Sequence, residues 1–271
     1  MSKETILNTE QNLDKEPNQF ALLKQRRFLP FFLTQALGAL NDNVFKNALV
    51  IMIGFQNVSA FGMDNKLLVT AAAVVFILPF LLFSAVAGQL SEKFEKSKSI
   101  RFVKIAEILV MALATLGLYL NNFELLIGVL FLMGTQSTFF GPIKYGLLPQ
   151  HLNEEELVGG NGLIESSTFL AILIGTIVGG WLGDIPNSAV WLSATLLLFS
   201  VIGYWTSRSI PNTPPVEPSL KINWNLYSET IKNLRFLGTN RVVFLTVLGI
   251  SWFWFYGAIF LAQIISYTQY T

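Results

Sequence analysis

Lys144 closes one long apolar run and Glu165 lies just inside the next, in GPIKYGLLPQHLNEEELVGGNGLIE. Charges at membrane depth are costly, so one that is present has a partner and a task. Asp42 is a third such charge, within the first apolar run, in LNDNVFKNAL. An ammonium only donates hydrogen bonds and a carboxylate only accepts them. Together these three groups read as the lining of a polar pathway through a helical membrane protein, able to meet both signs of charge.

Asn41, Asp42, Asn43, Lys46 and Asn47 form a polar belt in the first run. Asp42 and Lys46 are four apart with the acid first, the favourable order on a helix. They either neutralise each other or line a cavity. Five polar residues in seven exceed what one ion pair needs, which favours the cavity. Asn161 lies four residues before Glu165, on the same helical face. Glu107, in the cytoplasmic third of its run, reads as a residue that snorkels or pairs with a loop lysine. His151 reads as a solvated loop histidine.

Apolar runs must position these groups. Hydrophobic residues make up 52% of the 271-residue chain and charged ones 13%, against about 25% charged in soluble domains. With a mean hydropathy of +0.54 and repeated runs of about 20 apolar residues, the chain belongs in a bilayer. The expected spans are 28–55, 67–90, 100–120, 125–147, 158–182, 188–207 and 242–267. Pro30 falls in a first helical turn, where proline is tolerated, and Gly141-Pro142 is expected to break or kink the fourth span. Gly128, Gly134 and Gly141, then Gly175, Gly179 and Gly183, are close-packing candidates. The loop 149–157 is expected to be polar and acidic. Prolines 211, 214, 215 and 218 stiffen the connection that follows, and 220–241 reads as an interfacial helix.

Domain boundaries follow: a cytoplasmic tail at 1–27, a six-helix transmembrane half-bundle at 28–207, a cytoplasmic linker with an interfacial helix at 208–241, and a seventh transmembrane helix at 242–271. The tail lacks the apolar core and cleavage site of a signal peptide. With the amino terminus inside, fifteen of the eighteen Lys and Arg fall in cytoplasmic segments and only Lys66 outside. The acidic 149–157 segment is the exception.

No cysteine and one histidine exclude thiolate chemistry and leave little for a metal site, so no metal or cofactor is expected. The net charge of +1 gives no sign of a nucleic-acid partner. There is no nucleophile–base cluster and no phosphate-cradling glycine loop, so an enzyme is not expected. A seven-helix photoreceptor needs a lysine in its last helix, and none follows Lys232.

Six spans, a long central connection and a further span resemble the amino-terminal half of a major facilitator transporter. The loop at 88–104 resembles that superfamily's signature, with Ser91 and Glu92 where an aspartate-type position is expected. Segment 141–180 is similar to the lysophospholipid transporter branch: a P-x-K-Y-G-[IL]-L run, a polar loop, then N-G-L-x-E-[AS]-[ST] leading into a glycine-rich helix. NDNVFKNALVIMI resembles the form fused to a phospholipid acyltransferase and an acyl-activating ligase.

The resemblance implies an all-α polytopic membrane protein that moves lysophospholipid across the bacterial inner membrane for re-acylation. It implies that Asp42, Lys144 and Glu165, with Lys46, Asn43 and Asn161 beside them, handle the headgroup or gate the pathway. The superfamily fold needs two six-helix halves around a central cavity. One half and one further helix imply a fragment of a longer protein, with the missing second half or an acyltransferase as partner. The alternatives are a superfamily transporter of another small solute and a non-transporting membrane anchor.

Overall fold

The computed structural model describes residues 18–55 and 60–268. The amino-terminal tail, with Lys3 and Lys15, lies outside the described residues. A short 3-10 turn at Gln19–Lys24 precedes α1 (Leu29–Phe55), α2 (Asn65–Lys93), α3 (Lys96–Tyr119), α4 (Phe123–His151), α5 (Glu154–Asp184) and α6 (Ser188–Ser207). These, with the chain to Ile222, form one compact unit; 223–271 form a second.

Local chemistry sets the helix ends. Asp64 and Asn122 each accept from the amide three residues on, at 2.8 and 2.9 Å, and so start α2 and α4. Glu156 accepts from the Asn153 amide at 2.9 Å at the start of α5. Asn121 and Asn187 take positive φ, 47° and 58°, in the turns before α4 and α6; asparagine tolerates this better than most residues.

Five helices, α2 to α6, are long and apolar enough to cross a bilayer. The first expected span, α1, is 27 residues long but falls below that hydropathy, because its polar belt occupies the middle. It packs chiefly on α5 and α6, while α3 packs on α4 and α6, and α2 on α4. Large apolar side chains such as Ile77, Leu81, Phe102 and Trp205 remain more than half exposed, as a lipid-facing surface requires.

The bundle has two apolar cores with a polar layer between them. One core holds Val44, Leu49, Leu68, Met111, Leu118, Leu126, Leu130 and Leu192. The other holds Phe28, Phe31, Ile100, Leu147, Leu148 and Ile164. Between these positions on every helix except α2 stand buried polar groups: Gln35 and Asn41, Lys104 and Glu107, Gln136 and Thr138, Ser167, and Ser200. The glycine stripe of α5 lies on α1. A Cβ at Gly179 would stand 2.3 Å from the Val44 carbonyl oxygen, and one at Gly183 would stand 2.9 Å from that of Ala48. Of the three α4 glycines expected to pack closely, only Gly134 is so confined, 2.2 Å from the Phe76 carbonyl oxygen; Gly128 and Gly141 face open space.

Several expectations are corrected. The fourth span does not break at Gly141-Pro142: α4 runs through Pro142 and Pro149 to His151. The acidic 149–157 loop shrinks to Leu152 and Asn153, with Glu154, Glu155 and Glu156 in the first turn of α5. Carboxylates there suit the positive end of the helix dipole, and Glu156 pairs with Arg27 at 2.6 Å. His151 is not a solvated loop residue: its ring nitrogens lie 2.9 Å from the Arg27 carbonyl oxygen and 2.8 Å from Thr213 Oγ1. Lys96 and Lys104, counted as loop charges, are each 1% exposed within α3.

The proline-rich connection is fastened to the bundle. The Thr213 amide donates to Glu95 Oε1 at 3.1 Å, and the Thr213 carbonyl accepts from the Lys96 amide at 3.0 Å. Amides of Val216 and Glu217 donate to the Glu92 carbonyl, each at 3.0 Å. Burial raises the Glu95 carboxyl, but bonds from the Ser97 hydroxyl and the amides of Thr213, Ser97 and Lys98 outweigh it and hold the group below its ordinary 4.5.

In the second unit, α7 (Leu226–Thr239) covers most of the expected interfacial helix and α8 (Arg241–Thr268) the seventh span. The two meet at 117°, measured to Gly257, and together count as one further candidate span by length and composition.

Candidate functional site

Lys144 and Glu165 meet. Their charged groups are 3.0 Å apart, joining α4 to α5. Lys144 is 10% exposed and Glu165 32%, so the pair sits at the edge of the polar layer with its acid on the open side. The Tyr145 hydroxyl donates to Glu165 Oε1 at 2.8 Å, and Lys144 Nζ lies 5.0 Å from the Tyr145 ring centre. Thr168, one turn beyond Glu165, accepts from Lys144 at 3.4 Å. Gln35 of α1 donates to the same Thr168 oxygen at 2.6 Å and accepts from Ser167 at 2.7 Å. The ammonium of α4 thus meets α5 directly, and α1 reaches it through Thr168.

Asp42 stands in a second group. Ser137 of α4 donates to Asp42 Oδ2 at 2.6 Å, and Ser137 also lies 3.1 Å from Gln136 Oε1. The Gln136 amide donates to Glu107 Oε2 at 3.3 Å. Asn41 donates to Glu107 Oε1 at 3.1 Å, and Lys104 pairs with Glu107 Oε2 at 2.6 Å. A line of polar contacts therefore runs from Asp42 to a buried ion pair in α3. Lys104 Nζ lies 5.6 Å from the Phe140 ring centre and fills a slot beside two glycines. A Cβ at Gly38 would stand 2.5 Å from that nitrogen and one at Gly203 3.5 Å. Asp42 Oδ1 and Asn41 Oδ1 are buried and accept no hydrogen bond within the described residues.

The remaining expected residues divide. Lys46 makes no ion pair with Asp42 among the described residues. It donates to Asn43 Oδ1 at 2.9 Å and lies 5.4 Å from the Phe76 ring centre. The two groups therefore act on each other only beyond contact distance. Asn43 is buried, and its own amide donates to the Ala39 carbonyl. Asn161 shares a helix with Glu165 but donates to the Leu157 carbonyl at 2.8 Å rather than to the acid. Glu107 does pair with a lysine that was counted in the loop, yet at 1% exposure it does not snorkel.

Gln35, Tyr145, Thr168, Ser137 and Gln136 are the site residues that the sequence reading missed. Their signal was available in part. Ser137 and Lys144 are seven apart on α4, hence on one face, and Gln35, Gly38 and Asp42 share a face of α1. The spacing of Lys104 and Glu107 is the helical i,i+3 pairing.

The sequence profile of the Major Facilitator Superfamily matches residues 31–271. Curated relatives carry the name lysophospholipid transporter LplT. That of Enterobacter sp. (strain 638) is 28% identical over 232 residues, 79% of this chain and 56% of the relative. That of Photorhabdus laumondii is 29% identical over 184 residues, 67% of this chain and 44% of the relative. That of Citrobacter koseri is 31% identical over 160 residues, 53% of this chain and 38% of the relative. The chain spans about half the length of the curated relatives it matches. These relatives bear out the resemblance carried by the 141–180 segment. With the profile covering nearly all of the described helices, this multi-pass, all-α membrane protein belongs to the Major Facilitator Superfamily.

Proposed function

We propose that this chain forms part of a transporter for lysophospholipid, working without a catalytic step or a cofactor. The observation that carries this reading is the Lys144–Glu165 pair at 3.0 Å, partly open and backed by Tyr145. A lysophospholipid has a phosphate and, in many cases, an ammonium beside it. An adjacent cation and anion can exchange their mutual contact for one with each headgroup charge, while the single acyl chain stays in lipid. Asp42, with an oxygen that accepts no hydrogen bond among the described residues, is the second anionic contact. Rocking of one helical half against another would then expose this layer to each side in turn.

The whole-molecule assignments belong to the same reading. The amino terminus and the 208–241 connection lie on the cytoplasmic side of a bacterial inner membrane, as the basic residues of the short connections favour. The remaining helices of a longer transporter, and an acyltransferase that consumes the imported lipid, are the expected partners.

Binding tests the reading most directly. The purified chain, in nanodiscs, is titrated with a fluorescent lysophospholipid beside the variant in which Asp42, Lys144 and Glu165 are alanine. We expect saturable binding that weakens at least tenfold in the triple variant. Equal binding by both, with both correctly inserted, would reject the site.

A further inference from the structure

We infer that Gln35 and Thr168 are positioning residues that set the reach of the Lys144 ammonium, so that the placement of α1 tunes how tightly an anionic headgroup is held. The link to a headgroup rests on the function proposed above. The relay itself rests on geometry alone.

Thr168 is fully committed. Its hydroxyl hydrogen goes to the Ile164 carbonyl at 3.0 Å. Its oxygen then accepts from Gln35 Nε2 at 2.6 Å and from Lys144 Nζ at 3.4 Å. A hydroxyl has one donor and two acceptor positions, and all three are used. Gln35 is 4% exposed and equally constrained. Its oxygen accepts from Ser167 at 2.7 Å while its nitrogen reaches Thr168, so two neighbouring α5 side chains hold both ends of one amide. Turning the amide over would require Thr168 to give up its bond to Ile164 and donate to the Gln35 oxygen, and Ser167 to turn its own hydrogen to the Ile164 carbonyl.

The consequence falls on Lys144. A lysine side chain has long, flexible reach, and Glu165 alone would let the ammonium swing about the carboxylate. Thr168 supplies a second, uncharged anchor one helical turn from Glu165. When a phosphate draws the ammonium away from Glu165, the Thr168 contact is the one that still directs it. Any shift of α1 along α5 moves the Gln35 amide relative to the Thr168 oxygen that it shares with Lys144. Neither residue touches the ion pair's carboxylate, which separates positioning from binding.

The test compares Thr168→Val, Gln35→Leu and Thr168→Ser in the full chain in nanodiscs. The first readout needs no lipid ligand: the rate at which a small uncharged N-hydroxysuccinimide ester acylates Lys144, followed by peptide mass spectrometry. An amine held by two contacts meets the reagent less often than one held by a single contact. Valine has threonine's shape without the oxygen, so Thr168→Val and Gln35→Leu should each raise Lys144 labelling at least threefold. Thr168→Ser keeps all three bonds and should stay within a factor of two of the parent. Buried Lys104 serves as the folding control and should remain unlabelled throughout. The second readout is affinity for the fluorescent lysophospholipid, expected to weaken about tenfold in Thr168→Val and within twofold in Thr168→Ser.

Unchanged Lys144 labelling in Thr168→Val, with Lys104 still protected, would overturn the relay. Equal changes in Thr168→Ser and Thr168→Val would also overturn it, since only the hydroxyl should matter. Altered labelling with wild-type affinity in Thr168→Val would overturn the tuning of the headgroup. Altered labelling in the variants, with a parent chain that binds no lysophospholipid, would uphold the relay and reject the proposed function instead.

Discussion

Glu107 takes hydrogen bonds from Lys104, Asn41 and Gln136 at 1% exposure. A buried pair gains little over a well-packed apolar pair, but loss of one member leaves an uncompensated charge and costs about 3–5 kcal/mol. Glu107→Ala should therefore destabilise the bundle by an amount of that order. Lys104→Met combined with Glu107→Leu should cost much less, because no charge is stranded. Thermal unfolding of the purified variants in detergent checks both, and a single variant as stable as the parent would show that the pair holds nothing together. At the same scale, Lys144→Ala should abolish lysophospholipid transport by the assembled transporter without lowering its membrane abundance, measured by vesicle uptake beside quantitative blotting.

At the scale of elements, two contacts set how the helices sit. The first is the α1–α5 seam. The Val44 carbonyl occupies the place of a Cβ at Gly179, and a backbone atom cannot swing aside as a side chain can. Gly179→Ala should force the helices apart and cost about 1–3 kcal/mol. Gly180→Ala, with open space at its Cβ, should be close to neutral in the same unfolding assay. The second contact is the fastening of the connection after α6. Glu95 is held below its ordinary 4.5, so its contribution is complete above that value and is lost as pH falls through the lower folded value. The connection should become more open to protease as the pH is lowered below about 4.5, as bond-stabilised carboxylates protonate. Glu95→Gln should remove that pH dependence. Cleavage in the proline-rich stretch, followed by mass spectrometry across a pH series, reads this directly.

At the scale of the molecule, the proposed function makes the two apolar cores and the polar layer between them one half of a pathway. Such a layer needs an opposing surface before it can carry a polar headgroup, and the Enterobacter relative is covered only to 56%. The chain by itself should bind lysophospholipid but give little flux across a vesicle membrane. Flux should appear when it is assembled with the helices of a second half. Vesicle uptake of labelled lipid by the chain alone and by the reconstituted pair checks this. Equal uptake by both would show that the chain, perforce as an oligomer, is sufficient.

Apolar runs located the seven long helices among the described residues, α1 to α6 and α8, to within a few residues, because a bilayer demands such runs. The cost of intramembrane charge likewise singled out Asp42, Lys144 and Glu165 without coordinates. What pairs with what was decided only in three dimensions. Lys144 and Glu165 meet because α4 and α5 turn back at Leu152 and Asn153, whereas Asp42 passes over the lysine on its own helix for a serine of α4. Lys104 looked like a loop charge because the run of basic residues before it is one, yet the helix begins at Lys96 and carries it inward. Periodicity places a side chain on a face of its own helix; only the packing of helices says which face of another lies opposite.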